Sequence, residues 1–357
     1  MNFDYSEEQQ LLADSVRRFL EKDYGFEARR KIVASSEGCS PQVWARFAET
    51  GLTGLPFPAD YGGFGGGAID LMGIMEAFGE ALVVEPYLPT LMGGYVVARS
   101  PQAKAVLPAV VEGRTKLAFA HGEKGARYDL SRVDTTARRS GDAWVIDGEK
   151  AAVLGAPLAD KLVVSASTSE GIRLFLLDRP QVKAYTTLDE MRAADVLFKG
   201  ARAEPLGGDL ALVEEVTDFA TALVCAEAVG AMKFACETTL EYLKTRKQFG
   251  VPIGTFQALQ HRMVDMFIAC EQARSMACLA CSKLDQSENA TDRSRAVSAA
   301  KIKIADNARH ISQESVQLHG GMGMSEELKV SHTFRRLTVI AGQFGDADHH
   351  LARFAAL

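Results

Sequence analysis

Tryptophan occurs twice and cysteine six times in 357 residues. The cysteines, Cys39, Cys225, Cys236, Cys270, Cys278 and Cys281, are too sparse for a disulfide-stapled secreted fold, and most fall inside helical apolar patterns where reduced core thiols are expected. Cys278 and Cys281 form a CxxC, but EQARSMACLACSKL holds no second pair and follows no strand, so neither zinc nor redox chemistry is expected of it. Positive charge is not in excess: 40 Lys plus Arg face 46 Asp plus Glu, a net charge of −6. No basic run is long enough to track a phosphate backbone, which excludes nucleic acid as the expected partner. A run of about 18 uncharged apolar residues is also missing, so no membrane span is expected. The opening MNFDYSEEQQLLADSVRRFL mixes acids with an amphipathic period and lacks the basic flank and apolar centre of a signal peptide. A cytoplasmic protein is the expectation.

What is present is ordinary globular material, 47% hydrophobic and 24% charged. The length is about 2.4 times a ~150-residue domain, so two or three packed units are expected. Residues 1–115 read as an N-terminal helical domain. Ser6 is a candidate N-cap before an apolar stripe at Leu11, Leu12, Val16, Phe19 and Leu20, and a later helix runs from Pro41 to Thr50 and stops at Gly51. The loop LPFPADYGGFGGG, with five glycines between 62 and 67, precedes a helix at 69–82. No strand comes before this loop and no Lys-Ser/Thr closes it, so it reads as a turn where backbones approach closely and not as a phosphate cradle.

Between residues 116 and 207 the texture becomes β, with LAFA, AWVID, KLVVSA and RLFLLD separated by Gly, Asp and Ser turns. From 208 to 357 the helical period returns in long stretches, 211–245, 257–286 and 291–318, which predict a C-terminal four-helix bundle that also packs against a neighbouring chain. No internal repeat or low-complexity tract interrupts this order.

Three segments stand out chemically: the glycine loop, TRKQFGVPIGTFQALQHRMVDM at 245–266, and QLHGGMGMSEE at 317–327. With them, and with the order of helical, β and long-helix domains, the sequence resembles the acyl-CoA dehydrogenases along essentially its whole length. FGDADHHL and CAEAVGAM look closest to the small subunits of pimeloyl-CoA dehydrogenases and to β-type subunits of heteromeric acyl-CoA dehydrogenases. The resemblance implies a mainly α fold with a middle β-barrel or sandwich domain, FAD as cofactor, and oxidation of an acyl-CoA thioester at its α,β bond to the 2-enoyl-CoA. It implies a tetramer and an electron-transfer acceptor as well. Such chemistry needs a flavin site, a polarised thioester carbonyl and a carboxylate base on the face opposite the flavin ring.

By resemblance, Arg246 offers its fork of donors to the FAD pyrophosphate, with Phe249 and Gln257 at the family's offsets. Gln317 hydrogen-bonds the cofactor, and Gly320 and Gly321 let backbone approach it. In family tetramers these residues reach the FAD held by a neighbouring subunit. Read alone, a His-Gly-Gly at a helix end is also a C-cap.

The ring side departs from the family. His121, Gly122 and Glu123 stand in place of the usual Thr-Glu-Pro, and Ala152-Val153-Leu154-Gly155 in place of Trp-Ile-Thr-Asn. Leu154 has no hydroxyl to donate. His121 is either a substitute donor or a satisfied structural group.

The base departs most. Counting without gaps from Gln317 puts Phe344, followed by Gly345, at the position of the family's catalytic glutamate, and the alternative position on the first long helix falls near Ala220. Asp346, Asp348 and Asp218 are the nearby acids, Asp346 being the candidate displaced base, though each is a methylene shorter than Glu and a cap is the ordinary use. Asp346, Asp348, His349 and His350 also invite a metal. Adjacent side chains diverge and no second ligand group is visible, so no metal is expected. Glu227 reads as a buried acid paired with a bundle arginine, and Arg335 and Arg336 as either CoA-phosphate or bundle residues.

The expected function is therefore a subunit of a FAD-dependent acyl-CoA dehydrogenase whose catalytic Glu comes from a large, α-type partner. The alternatives are a non-catalytic structural subunit, a self-sufficient dehydrogenase using Asp346, and a flavin monooxygenase of the same fold.

Overall fold

The computed structural model describes residues 5–141 and 143–357. Its N-terminal helices are α1 (Glu7–Asp23), α2 (Phe26–Ala34), α3 (Pro41–Glu49), α4 (Ala68–Ala81), α5 (Tyr87–Val97) and α6 (Ala103–Val111). Seven strands follow: β1 (Leu117–Ala120), β2 (Thr136–Ser140), β3 (Ala143–Leu154), β4 (Lys161–Thr168), β5 (Gly171–Asp178), β6 (Val182–Thr186) and β7 (Arg192–Gly207). The rest is α7 (Leu210–Thr245), a hairpin of β8 (Lys247–Gln248) and β9 (Val251–Pro252), α8 (Gln257–Gln286), α9 (Ala290–His319), α10 (Lys329–Gly342) and α11 (Ala347–Ala356). Among the described residues, two short helices follow the three long ones in the C-terminal region.

Chain segments far apart in sequence group into two compact units. One comprises Met1–Arg30, Gly67–Val83 and Thr221–Leu357. Here Ser6 caps α1, its hydroxyl accepting from Gln9 N–H at 3.2 Å while the Gln9 side chain accepts from Ser6 N–H at 2.9 Å. The buried face of α1 is Ala13, Val16 and Leu20, whereas Leu11 is 66% exposed. Ala13 occupies the stripe because α4 comes close: a Cβ added at Gly73 would lie 3.0 Å from that of Ala13. Glycines set the approach of α4 to α7 as well. A Cβ at Gly79 would stand 1.8 Å from the Glu227 carbonyl oxygen, and one at Gly230 1.8 Å from that of Glu76. The α8–α9 pair is tied by Arg262 to Glu314 at 2.5 Å and by Asn307 Nδ2 donating to the Ala269 carbonyl at 2.7 Å. Helix α7 is long and apolar enough to cross a membrane, but 83% of its most apolar window is buried inside the protein, as befits a core helix.

The other unit comprises Lys31–Gly66 and Val84–Ala220. Its strands run β1-β4-β2-β3-β7-β5, with β6 on β7, and β5 pairs back onto β4. That last pairing closes the ribbon into a small barrel. The barrel core is built from small, branched and aromatic residues, among them Ala118, Ile146, Leu162, Val164, Phe175 and Phe198. In the glycine loop, Gly63 N–H bonds the Pro58 carbonyl and Gly66 N–H the Leu55 carbonyl. A Cβ at Gly63 would fall 2.1 Å from the Phe57 oxygen. The loop is a close backbone crossing, as its sequence predicts.

Candidate cofactor site

One end of the first unit brings together the candidate cofactor residues from three separate stretches. Helix α7 ends at Thr245, and the Tyr242 ring, one turn earlier, stacks on His319 at the end of α9 with centroids 4.5 Å apart. This contact brings the segment of Arg246 beside that of Gln317, Gly320 and Gly321. Arg246 is exposed, and among the described residues nothing pairs with its guanidinium. Gln257 opens α8 and is exposed, and Gln317 is exposed on α9. No atom lies within 4 Å of a Cβ built at Gly320 or Gly321, and Gly320 ends α9 at φ +61°. The helix-end role and an open backbone surface therefore coexist at the same glycines. Phe249 is 90% exposed at φ +53° on the hairpin, edge-to-face with Phe256 at 6.2 Å. An unpaired cationic fork, two amides and bare glycine backbone are donors suited to a pyrophosphate. These residues fit the phosphate side of FAD.

His319 does not join that surface. It is buried, its Nδ1 bonds the Ser315 carbonyl at 2.8 Å, and burial lowers its pKa.

Phe344 sits between α10 and α11 in the left-handed region, φ +60°, followed by Gly345 at φ +121°. This corner is held by His350, whose Nε2 donates to the Phe344 carbonyl at 3.1 Å while Nδ1 meets Ser298 Oγ at 3.3 Å. Burial, with Lys301 nearby, pushes His350 down to about 3, so the ring stays neutral. Asp346 is the N-cap of α11, accepting from His349 N–H at 2.9 Å. Asp348 is exposed in the first turn. Asp218 lies in the other unit, fully buried on α7 near the equally buried Ala220.

In the barrel, His121 Nδ1 is 2.8 Å from Ser165 Oγ, and its ring also bonds the Leu130 backbone. Burial, then Lys150, lowers its pKa to about 4. His121 is thus a neutral, satisfied group with its polar atoms turned to protein. No sequence pattern marks its neighbour Lys150, fully buried on β3, whose Nζ donates to Glu123 Oε1 at 2.6 Å, to Ser165 Oγ at 3.0 Å and to the His121 carbonyl at 3.0 Å. Burial brings Lys150 down to about 8. For Glu123 burial works the other way, but Lys150 and Thr135 outweigh it and leave the carboxyl below its usual range. Leu154 ends β3 after a bulge between Lys150 and Val153 in which Ala152 has φ +52°. No hydroxyl stands at that position.

Glu227 does find its bundle arginine: Arg336 Nε and Nη2 donate to its two oxygens at 2.6 and 2.7 Å, with both side chains buried. Arg335 instead pairs with Glu326 at 2.9 Å.

Helical domains flanking a middle β domain are the architecture of a flavoprotein oxidoreductase class acting on CH–CH donors, which the comparisons with known proteins bear out. Models of the acyl-CoA dehydrogenase N-terminal, middle and C-terminal domains match residues 6–114, 118–198 and 210–356. Among curated relatives, acyl-CoA dehydrogenase FadE12 of Mycobacterium tuberculosis is 30% identical, covering 95% of this chain and 93% of that one. The 3-(aryl)acrylate reductase of Clostridium sporogenes is 29% identical over 96% of each. Among solved structures, a Tcur3481–Tcur3483 steroid ACAD variant superposes with a TM-score of 0.91 at 28% identity, covering 98% of this chain and 97% of that one. The chain belongs to the acyl-CoA dehydrogenase family, whose cofactor is FAD.

Proposed function

We propose that this chain is the β-type, small subunit of a heteromeric acyl-CoA dehydrogenase and that a large subunit completes its active site. One feature carries the reading: Phe344, an aromatic side chain with no proton-accepting atom on a corner held by His350, falls where an ungapped count from Gln317 puts the family's base. Asp346, the acid nearest to it, already spends a carboxylate oxygen capping α11. Arg246, Phe249, Gln257, Gln317, Gly320 and Gly321 would grip the FAD pyrophosphate side across the subunit interface. Bound FAD would accept the β hydrogen as hydride. The partner's glutamate would remove the α proton, and the partner's pocket would hold the flavin ring that Leu154 and His121 leave without a hydroxyl. Likeness to the two-protein Tcur3481–Tcur3483 steroid ACAD supports both the partnership and a bulky acyl group.

The test is to purify the chain alone and together with a genomically adjacent large subunit, then measure flavin content and oxidation of bulky and dicarboxylic acyl-CoAs. Because a general base contributes roughly 10²–10⁴-fold, the lone chain is expected to turn over at least about 100-fold more slowly than the complex. Robust turnover by the pure homomer, abolished in Asp346→Asn, would establish the self-sufficient reading instead.

A further inference from the structure

Dehydrogenation asks nothing of cysteine, yet two thiols from different helices meet in the first unit. A cavity of about 690 Å³ opens there, with a largely apolar wall from Val229, Leu240, Met263 and Phe267. Cys236 of α7 and Cys270 of α8 also line it. Both are free thiols, and Cys270 lies close enough to Cys236 to perturb its ionisation. Cys236 Sγ also lies 3.8 Å from the Met266 carbonyl, which fixes its rotamer toward α8. Cys270 follows Met266 by one helical turn, so the Cys236 sulfur is directed at the turn of α8 that carries Cys270. A water-sized molecule needs only about 30 Å³, so a small oxidant has ample room beside them.

The remaining thiols lack this combination. Cys225 and Cys281 are fully buried away from the cavity wall, Cys278 shares a single helix with Cys281, and Cys39 belongs to the other unit.

We propose that Cys236 and Cys270 form a redox modification site that a peroxide closes into a disulfide joining α7 to α8. The Cys270 sulfur attacks one oxygen of hydrogen peroxide, the O–O bond breaks, and a sulfenic acid and one water form. The Cys236 sulfur then displaces the sulfenic hydroxyl, which leaves with the Cys236 proton as a second water. Two thiols lose two electrons in all, and one peroxide is reduced to two waters.

Trypsin makes the test direct. Cys236 falls alone in FACETTLEYLK and Cys270 alone in MVDMFIACEQAR, whereas Cys278 and Cys281 share SMACLACSK. The folded protein, with any co-purifying partner and flavin retained, is treated with hydrogen peroxide, alkylated under non-reducing conditions and mapped by mass spectrometry. The two single-cysteine peptides are expected as one linked species, about two mass units lighter than their sum, with the titratable thiols falling from six to four and dithiothreitol restoring them. Cys236→Ser should retain all five of its thiols as alkylatable or show a sulfenic acid at Cys270. If that variant does not fold, the wild-type map still decides. Full alkylation of both peptides after peroxide, a link within SMACLACSK instead, or sulfonic acid at either site would overturn the assignment.

Discussion

Replacing Glu227 by Gln should be among the most damaging single substitutions in the first unit. Its carboxylate receives two guanidinium hydrogen bonds, at 2.6 and 2.7 Å, from Arg336, and the two side chains are only 6% and 7% exposed. Lys301 is buried nearby and donates to the Ile340 carbonyl. Burial pushes this lysine down to about 8, with Arg336 adding to the effect. Glu227→Gln therefore removes the carboxylate charge opposite buried Arg336, beside a second buried cation. Breaking a buried pair from one side costs about 3–5 kcal/mol. In a unit of roughly 180 residues each kcal/mol lowers Tm by about 2–4 °C, so a fall of roughly 6–20 °C is expected. Differential scanning calorimetry with circular dichroism measures it. Glu227→Met combined with Arg336→Met removes both charges, and an apolar replacement of a buried pair is often neutral, so the double variant should be clearly more stable than Glu227→Gln. A Glu227→Gln midpoint within about 2 °C of wild type, or a double variant no better than the single, would refute the reasoning.

Other expectations follow from the same geometry. Arg246→Ala removes a fork of charge-assisted hydrogen bonds worth about 1.5–3 kcal/mol, so FAD affinity of the reconstituted complex should fall roughly 10- to 150-fold in a flavin-release titration; unchanged retention would sink the phosphate-side role. Native mass spectrometry of the complex should give an α2β2 tetramer with two FAD, and four flavins would show that this chain's ring-side pocket is intact. His121 and His350 have folded pKa values lowered to about 4 and about 3 from 6.5, so the unfolded chain binds protons first. Their contribution is fully present above pH 6.5 and is lost as pH falls toward 4 and 3. Urea midpoints should therefore decline across that window, and His350→Gln should flatten the decline.

The sequence by itself determined what short-range periodicity can encode. Apolar spacing gave α8 at Gln257–Gln286 and β1 at Leu117–Ala120, and Ser6 as an N-cap marked the start of α1, because backbone hydrogen bonds and caps depend on residues within a turn of one another. The family motifs were also legible, being contiguous strings. Strand β2 was not: four of its five residues are exposed, so no apolar alternation marks it. Tertiary structure alone decided the rest. Ala13 and not Leu11 faces the core because Gly73 brings α4 close, a fact about a partner 60 residues away. Buried Lys150 is matched to Glu123, 27 positions earlier, and Arg336 to Glu227 across 109 positions. Arg246 and Gln317 share one end of a helical unit only because Tyr242 stacks on His319, and Cys236 meets Cys270 only because α7 and α8 pack side by side. Such pairings are set by which helices and strands become neighbours, and sequence spacing carries no direct record of that choice.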